Sequence, residues 1–306
     1  MIVVKVAGID IGGTSIKGIV MNENGDILQT SKIDTEAVLG RDHILENLNK
    51  LIGELLINHY DLKGIGIGTA GRVNVNTGEV VYATDNLKNW QGTNLKMVLE
   101  DHFNLPVMVD NDANAALIGE HWLGAGKGLS NITMCTLGTG VGGANMVNRG
   151  ILRGANWNGG EWGHVIFIPN GRPCNCGQNG CLEQYLSGNA LVYFAEAATN
   201  QSYLSGNNVM EDFKNNRVEI IKVVNEYINH LSTFIYNIHN SLDPQCIIIG
   251  GGVIDSKEIW WDIFSNSLTR LGIIVDVRPA ILGNRAGSVG AAKLILDTFK
   301  KSKALN

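Results

Sequence analysis

The sequence predicts an α/β fold, and three observations carry that prediction. Apolar runs of strand length alternate with segments whose apolar residues recur at helical spacing. Short groups of glycine stand at the ends of several apolar runs, and the 38 glycines exceed the average usage of ~7%. An apolar strand, then Gly-Gly-Thr or Gly-Thr-Gly, then a second strand occurs at 6–20 and again at 132–147, an internal echo that points to two related halves. At 306 residues and 44% hydrophobic content the chain can bury a full core, and it passes the ~250–300 residues at which single cores stop growing. Two domains are expected.

Element by element, residues 3–11 read as a strand ended by Gly12-Gly13-Thr14, and 15–20 return as a second strand. Gly25-Asp26 supplies a hairpin turn before a strand at 27–32. Between Asp42 and Ile57, residues Ile44, Leu45, Leu48, Leu51, Ile52, Leu55 and Leu56 fall on one helical face. Short strands follow at 64–69 and 107–110, the second running directly into a helix at 113–123. Residues 131–137 form a strand that ends in Gly138-Thr139-Gly140, and 142–147 continue from it. A long helix covers 218–239, where Ile220, Ile221, Val224, Ile228, Leu231, Phe234 and Ile235 keep the helical period. A buried strand at 246–249 runs into Gly250-Gly251-Gly252, and 286–298 form a last helix. Residues 200–208 and 214–216 read as polar loops.

Composition excludes several classes. A net charge of -5 with no basic run argues against a nucleic-acid partner. No apolar run approaches the ~20 residues of a membrane helix, and the opening MIVVKVAGIDIGG lacks a signal-peptide pattern. Five cysteines, an odd number, do not suit a disulfide-stapled secreted domain. A soluble cytoplasmic enzyme is expected. Cys135 and Cys246 sit in apolar runs and read as core.

The remaining cysteines carry chemistry. His164, Cys174, Cys176 and Cys181 lie within eighteen positions, with Gly177 and Gly180 allowing a tight turn. Three thiolates and an imidazole suit a closed, tetrahedral structural zinc site, which fixes a loop and leaves no position for reaction. Glu161 and Glu183 flank this knuckle. The three glycine turns at 12–14, 138–140 and 250–252 together point to a nucleotide, since such turns expose backbone N–H groups to phosphate oxygens. None follows the GxxxxGK[ST] or GxGxxG pattern.

With these motifs in place the chain resembles the ROK family (repressor, open reading frame, kinase) of sugar kinases, within the actin, heat-shock and hexokinase superfamily. The resemblance rests on Ile9-Asp10-Ile11-Gly12-Gly13-Thr14-Ser-Ile-Lys17, on Asp110-Asn111-Asp112-Ala113-Asn114-Ala115-Ala116 with Gly119-Glu120, and on Leu137-Gly138-Thr139-Gly140-Val141-Gly142-Gly143. It rests further on Gly160-Glu161-Trp162-Gly163-His164, the cysteine knuckle with Glu183, and the loop from Pro244 to Gly252. The matches keep the family order from about Val6 to Ala292.

The resemblance implies a two-lobed actin-like ATPase (ribonuclease H-like) fold with a nucleotide and sugar cleft between lobes. The smaller lobe is expected at 1–112 plus 291–306 and the larger at 113–290. The implied activity is ATP-dependent phosphorylation of a hexose at its 6-hydroxyl, with Mg²⁺ and structural Zn²⁺ as cofactors and a homodimer as the assembly. Asp112 matches the family's general base; on spacing alone Asp110 competes with it. Asp10 is expected to orient Mg²⁺ through water. Gly12, Gly13, Thr14, Gly138, Thr139 and Gly140 are expected to hold the outer phosphates, with Gly251 and Gly252 bordering the adenosine. Lys17 matches the motif, although an exposed strand lysine is an equal reading. The sugar site is expected to use Asn111, Asp112, Glu161, His164 and Glu183, with metal ligands His164, Cys174, Cys176 and Cys181.

Gly68-Thr69-Ala70-Gly71-Arg72-Val73-Asn74 is similar to the Gly-Arg-Val-Asn form of N-acetylmannosamine kinases, in which Gly71 and Arg72 would border the substrate. Arg72 reads equally as a solvated loop residue. Trp157 and Trp162 either stack on the sugar or pack as core. Glucose, N-acetylmannosamine and a β-glucoside all stay open as substrates. Some family members are instead sugar-responsive repressors with an N-terminal helix-turn-helix. The phosphate strand here begins within the first few residues, so no DNA-reading helix is expected before it, and the intact Asp10, Asp112 and three glycine turns favour a working kinase over a non-catalytic sugar sensor.

Overall fold

The structure, a computed structural model, describes residues 3–304. Its first elements are β1 (Lys5–Ile11), β2 (Ser15–Asn22), β3 (Ile27–Asp34), α1 (Arg41–Asn58), β4 (Ile65–Thr69), β5 (Arg72–Asn74), β6 (Glu79–Tyr82), α2 (Leu95–Phe103), β7 (Val107–Asn111) and α3 (Asp112–Leu123). There follow β8 (Ile132–Leu137), β9 (Val141–Val147), β10 (Gly150–Ile151), α4 (Glu183–Leu186), α5 (Gly188–Thr199), α6 (Gly206–Lys214) and α7 (Val218–Leu242). The chain closes with β11 (Cys246–Gly250), α8 (Lys257–Arg270), β12 (Asp276–Pro279) and α9 (Ala286–Ala304). Two compact units result. One holds the residues up to Gly128, Arg153–Gly159 and those from Ile281 onward; the other holds Leu129–Leu152 and Gly160–Ala280.

In the first unit a five-stranded sheet has the order β3-β2-β1-β4-β7. β1, β2 and β3 form an antiparallel meander, while β1, β4 and β7 run parallel. The β2–β3 turn is held by Asn22, whose Oδ1 accepts from the backbone N–H groups of Asn24 (3.0 Å) and Asp26 (2.9 Å). The period of two in β1 divides its residues between two layers. Ala7, Ile9 and Ile11 share a core with Ile44, Leu48, Leu51, Ile52 and Leu55 of α1, whereas Val6 packs with Val289, Ala292, Ile295 and Leu296 of α9. Gly8 and Gly66 lie where α9 passes closest: a Cβ on either would come within 2.1 Å of Ser288 O or 1.8 Å of Ala291 O. Alanine at either position would force the helix off the sheet.

The second unit repeats the plan. Its sheet order is β10-β9-β8-β11-β12, with an antiparallel meander β8–β9–β10 and parallel pairs β8–β11 and β11–β12. The internal echo in the sequence is therefore a repeated sheet topology. Along α7, Ile220, Val224, Ile228, Leu231, Ile235 and Ile238 are buried against Cys135, Leu137, Ile247 and Ile249 of the strands and Trp260 and Phe264 of α8. Cys135 and Cys246 are core residues, as their apolar surroundings imply.

The observed units differ from the expected division at Asp112 and residue 291. α3 stays with the first unit because it packs on α9 at near-backbone contact; a Cβ on Gly290 would lie 1.6 Å from Ala115 O. Residues 206–208, expected in a polar loop, begin α6, whose Val209 and Met210 are buried in the second core. Among the described residues no helix is long and apolar enough to cross a membrane.

Candidate active site

The parallel register of the first sheet aligns the chemistry. Asp10 of β1 pairs in register with Gly68 of β4, and Gly68 pairs with Asp110 of β7. Three strand ends therefore deliver Asp10, the Thr69–Arg72 segment and the Asp110–Asp112 segment to one edge, the C-terminal edge at which open α/β sheets place their ligands. The Gly12–Thr14 turn is exposed at Gly13 and Thr14 and pinned from behind, where Thr35 Oγ1 donates to Gly12 O (2.6 Å). Asp10 lies on the α9 face of β1, against the first turn of that helix, and its side chain is 18% exposed. Burial first, then the charge of Asp112, raises its pKa to about 6, with Lys17 opposing. Lys17 is the register partner of Asp10 on β2, and its Nζ stands 3.9 Å from Asp10 Oδ2. It faces the acid rather than open solvent.

Asp110 and Asp112, equivalent by spacing, have different surroundings. Asp110 is 1% exposed. Its Oδ2 accepts from Arg153 Nε (3.0 Å) and Nη2 (2.5 Å), and its Oδ1 from the Asn111 backbone N–H (2.8 Å) and Asn114 Nδ2 (2.9 Å). Both oxygens are committed to the fold. Asp112, half-buried, opens α3, where the helix dipole favours a carboxylate. Its Oδ1 accepts from the Ala113 N–H (2.8 Å) and Asn111 Nδ2 (2.9 Å). Burial raises its pKa, and the Ala113, Asp112 and Asn111 donors counter part of that rise. Asn111 is also the N-cap, its Oδ1 accepting from Ala113 N–H (2.9 Å) and Asn114 N–H (3.1 Å), while Nδ2 donates to Gly71 O (3.0 Å). Arg72 lies on β5, stacked 4.4 Å from the Tyr82 ring centroid, and its Nε is buried without a hydrogen-bond partner among the described residues.

In the second unit the turns at Gly138–Gly140 and Gly251–Gly252 follow neighbouring parallel strands, β8 and β11. Thr139 is exposed at the tip of the first turn. Glu183 reaches this turn: its Oε2 accepts from the Val141 N–H (2.9 Å). A Cβ on Gly140 would lie 2.3 Å from the same oxygen, so a side chain there would displace the carboxylate from this position. The two sequence motifs, the Gly138–Gly140 turn and the acid beside the knuckle, are thus bonded to one another.

The knuckle brings His164, Cys174, Cys176 and Cys181 together, with all four donor atoms within 4.8 Å of one another. Cys176 Sγ is 3.5 Å from Cys181 Sγ, and Cys174 Sγ is 3.7 Å from His164 Nδ1. Those spacings suit the edges of a tetrahedron with metal–ligand bonds of about 2.0–2.3 Å. Burial and the two neighbouring thiols push the Cys181 thiol up to about 12, so three thiolates need a cation among them. The donor set is compatible with structural zinc. His164 turns Nδ1 toward the thiols, leaving Nε2 to face elsewhere. Trp162 is core: its Nε1 donates to Asn145 Oδ1 (3.2 Å) and its ring stands edge-on to Phe234 at 5.7 Å. Trp157 is half-buried at φ 60° within the 153–159 segment. Arg153, which occupies Asp110 together with the motif residue Asn114, was not singled out by sequence; it is 43 residues away and carries no local signal.

Comparison with known proteins identifies the family. The profile of the ROK family matches residues 6–298. A glucokinase of Halalkalibacterium halodurans is 35% identical over 311 residues, covering 94% of each chain. The crystal structure of a ROK family glucokinase from Streptomyces griseus in complex with glucose and AMPPNP superposes with a TM-score of 0.84 at 32% identity, covering 95% of this chain and 98% of that one. A ROK hexokinase from Thermus thermophilus gives a TM-score of 0.84 at 28% identity, covering 97% and 99%. The two repeated α/β sheets, the acids at the strand ends of the first and, above all, these matches establish that the chain belongs to the ROK family.

Proposed function

We propose that this chain is a sugar kinase that moves the γ-phosphoryl group of ATP to the 6-hydroxyl of glucose or a glucose-like hexose such as N-acetylmannosamine. One observation carries the choice of base: Asp110 spends both oxygens on Arg153, Asn111 and Asn114, whereas Asp112 is held through Oδ1 at the start of α3 with its pKa raised. A sugar hydroxyl is a weak nucleophile. Asp112 accepts its proton as the new oxygen–phosphorus bond forms and the bond to the β-phosphate bridging oxygen breaks, releasing ADP. Base catalysis of this kind contributes about 10²–10⁴-fold. A raised pKa makes Asp112 a stronger base than an ordinary carboxylate.

The other residues position and neutralise. Gly12, Gly13 and Thr14 offer backbone and hydroxyl donors to the outer phosphates, as do Gly138, Thr139 and Gly140, while Gly251 and Gly252 border the adenosine. Asp10 is the acid that would orient Mg²⁺, with Lys17 tempering its charge; when bound, Mg²⁺ would neutralise charge on the phosphate oxygens. Asn111, Glu161, His164 and Glu183 bond the sugar hydroxyls, with Gly71 and Arg72 at the border, where the orphaned Arg72 Nε has a donor to give. His164 Nδ1, Cys174, Cys176 and Cys181 would hold zinc, which would stiffen the segment carrying Glu161 and Glu183. Unpartnered sugar hydroxyls cost about 1–3 kcal/mol each on burial, so this many donors and acceptors are required.

The test is hexose-dependent ADP release with glucose, N-acetylmannosamine, N-acetylglucosamine, mannose, fructose and cellobiose. Turnover with at least one hexose is expected. Hexose binding with no ATP consumption would overturn the kinase reading in favour of a sugar sensor, and preference for cellobiose would replace it with a β-glucoside kinase.

A further inference from the structure

We propose that Arg153 is a positioning residue for phosphoryl transfer: it sets the Asn111–Asp112 segment through the buried Asp110 carboxylate and, by the same bond, fastens the 153–159 segment to the catalytic turn. The inference rests on the sugar-kinase reading above and adds to it a residue outside the expected site.

The geometry forms a relay. Arg153 grips Asp110 Oδ2 with two N–H groups, and Asp110 Oδ1 holds the Asn111 backbone N–H at 2.8 Å. Asn111 in turn donates from Nδ2 to Asp112 Oδ1 at 2.9 Å and to Gly71 O at 3.0 Å. The orientation of the base thus depends on an acid that is itself held by a cation. Asp110 is 1% exposed and the Arg153 side chain 25%, so the carboxylate depends on this guanidinium for its neutralisation. A planar fork on a carboxylate also fixes direction in a way a point charge does not.

Arg153 is anchored at its backbone as well. Its carbonyl accepts the Gly159 N–H at 2.8 Å, closing a short loop around Trp157. This loop belongs to the first unit although the residues on either side of it in sequence belong to the second. The segment leads directly into Gly160-Glu161. One side chain therefore references both the base and the approach to a sugar-site acid to the same buried carboxylate. A bond serving stability alone has no need to sit next to the base in sequence and at the head of this loop in space.

The experiment compares wild type with Arg153→Met, Arg153→Lys, Asp110→Asn and the double variant Arg153→Met/Asp110→Asn, as full-length protein. The kcat, hexose KM, ATP KM, zinc content and thermal midpoint are measured for each. Arg153→Met should lower kcat/KM for hexose by about 30-fold or more while ATP KM changes by less than about threefold. Zinc content should be unchanged. The double variant should recover several-fold over Arg153→Met, because the neutral amide introduced by Asp110→Asn no longer needs a cation, and Arg153→Lys should fall between wild type and Arg153→Met. If Arg153→Met does not fold, the double variant and Arg153→Lys carry the test. A loss in kcat or in hexose kcat/KM with ATP KM held supports the inference. Hexose kinetics within about twofold of wild type, or a rise in ATP KM as large as the loss in hexose kcat/KM, overturn it. A wild-type chain that phosphorylates no hexose overturns the sugar-kinase reading instead, and separates the two failures.

Discussion

Replacing Asp10 by Asn should stabilise the substrate-free protein at neutral pH while disabling it. Burial and the nearby Asp112 raise the Asp10 pKa from 3.8 to about 6, so the folded chain holds this proton more tightly than the unfolded chain does. The stability from that preference is fully present below pH ~4, is lost as pH rises through about 6, and stays lost above it. The interval from 3.8 to about 6, at about 1.4 kcal/mol per pH unit, sets a ceiling of about 3 kcal/mol on the cost of the ionised acid. An Asn amide must find partners in the same site, which leaves a net gain of about 1–2 kcal/mol. That corresponds to a rise of roughly 3–5 °C in the first unit's transition. Calorimetry in chelator without nucleotide, at pH 8 and pH 4, measures the gap, which should be present at pH 8 and close at pH 4. Turnover with Mg²⁺ should drop by about 100-fold or more, as expected when an acid that is costly to the fold is kept for function. A variant less stable than wild type at pH 8, or a gap of equal size at both pH values, would refute the reasoning.

Three further outcomes follow from the same geometry. Asp112→Asn should lower kcat by about 10²–10⁴-fold with hexose affinity retained in calorimetric titration; retained turnover would remove the assigned base. Gly140→Ala places a Cβ 2.3 Å from Glu183 Oε2 and should reduce kcat/KM for both substrates by about 10-fold or more, with zinc content intact. Steady-state kinetics close to wild type would show that the carboxylate does not need this approach. Cys176→Ser should lose metal by elemental analysis and weaken hexose binding about 10–100-fold, whereas unchanged metal content would discredit the ligand set.

Strong local periodicity was legible. The apolar stripes of α1 and α7 and the β-branched runs of β1, β8 and β11 emerge within a few residues of their expected bounds. α2, α4, α5, α6 and α8 were missed, the last three for identifiable local reasons. α5 and α6 each open on glycine, and α6 shares its start with a polar stretch. α8 carries adjacent aromatics, Trp260 and Trp261, that blur a one-sided stripe. The small strands β5 and β6 are only 3 and 4 residues long, too short to show alternation, yet they place Arg72 over Tyr82.

Sequence alone determined the family, the repeated strand–glycine turn–strand plan and the cluster of one histidine and three cysteines, because each is written in residues close together in the chain. Backbone turns and a knuckle are local objects, and their residue types declare them. Tertiary structure decided which of the two acids has both oxygens committed to the fold. Asp110 and Asp112 differ through Arg153, 43 residues further on, which the fold brings within 2.5 Å of the one. The same holds for Gly140, whose lack of a side chain serves Glu183, a residue 43 positions away. Electrostatic environment and steric room are set by neighbours in space, and no order of residues displays them until the chain has folded.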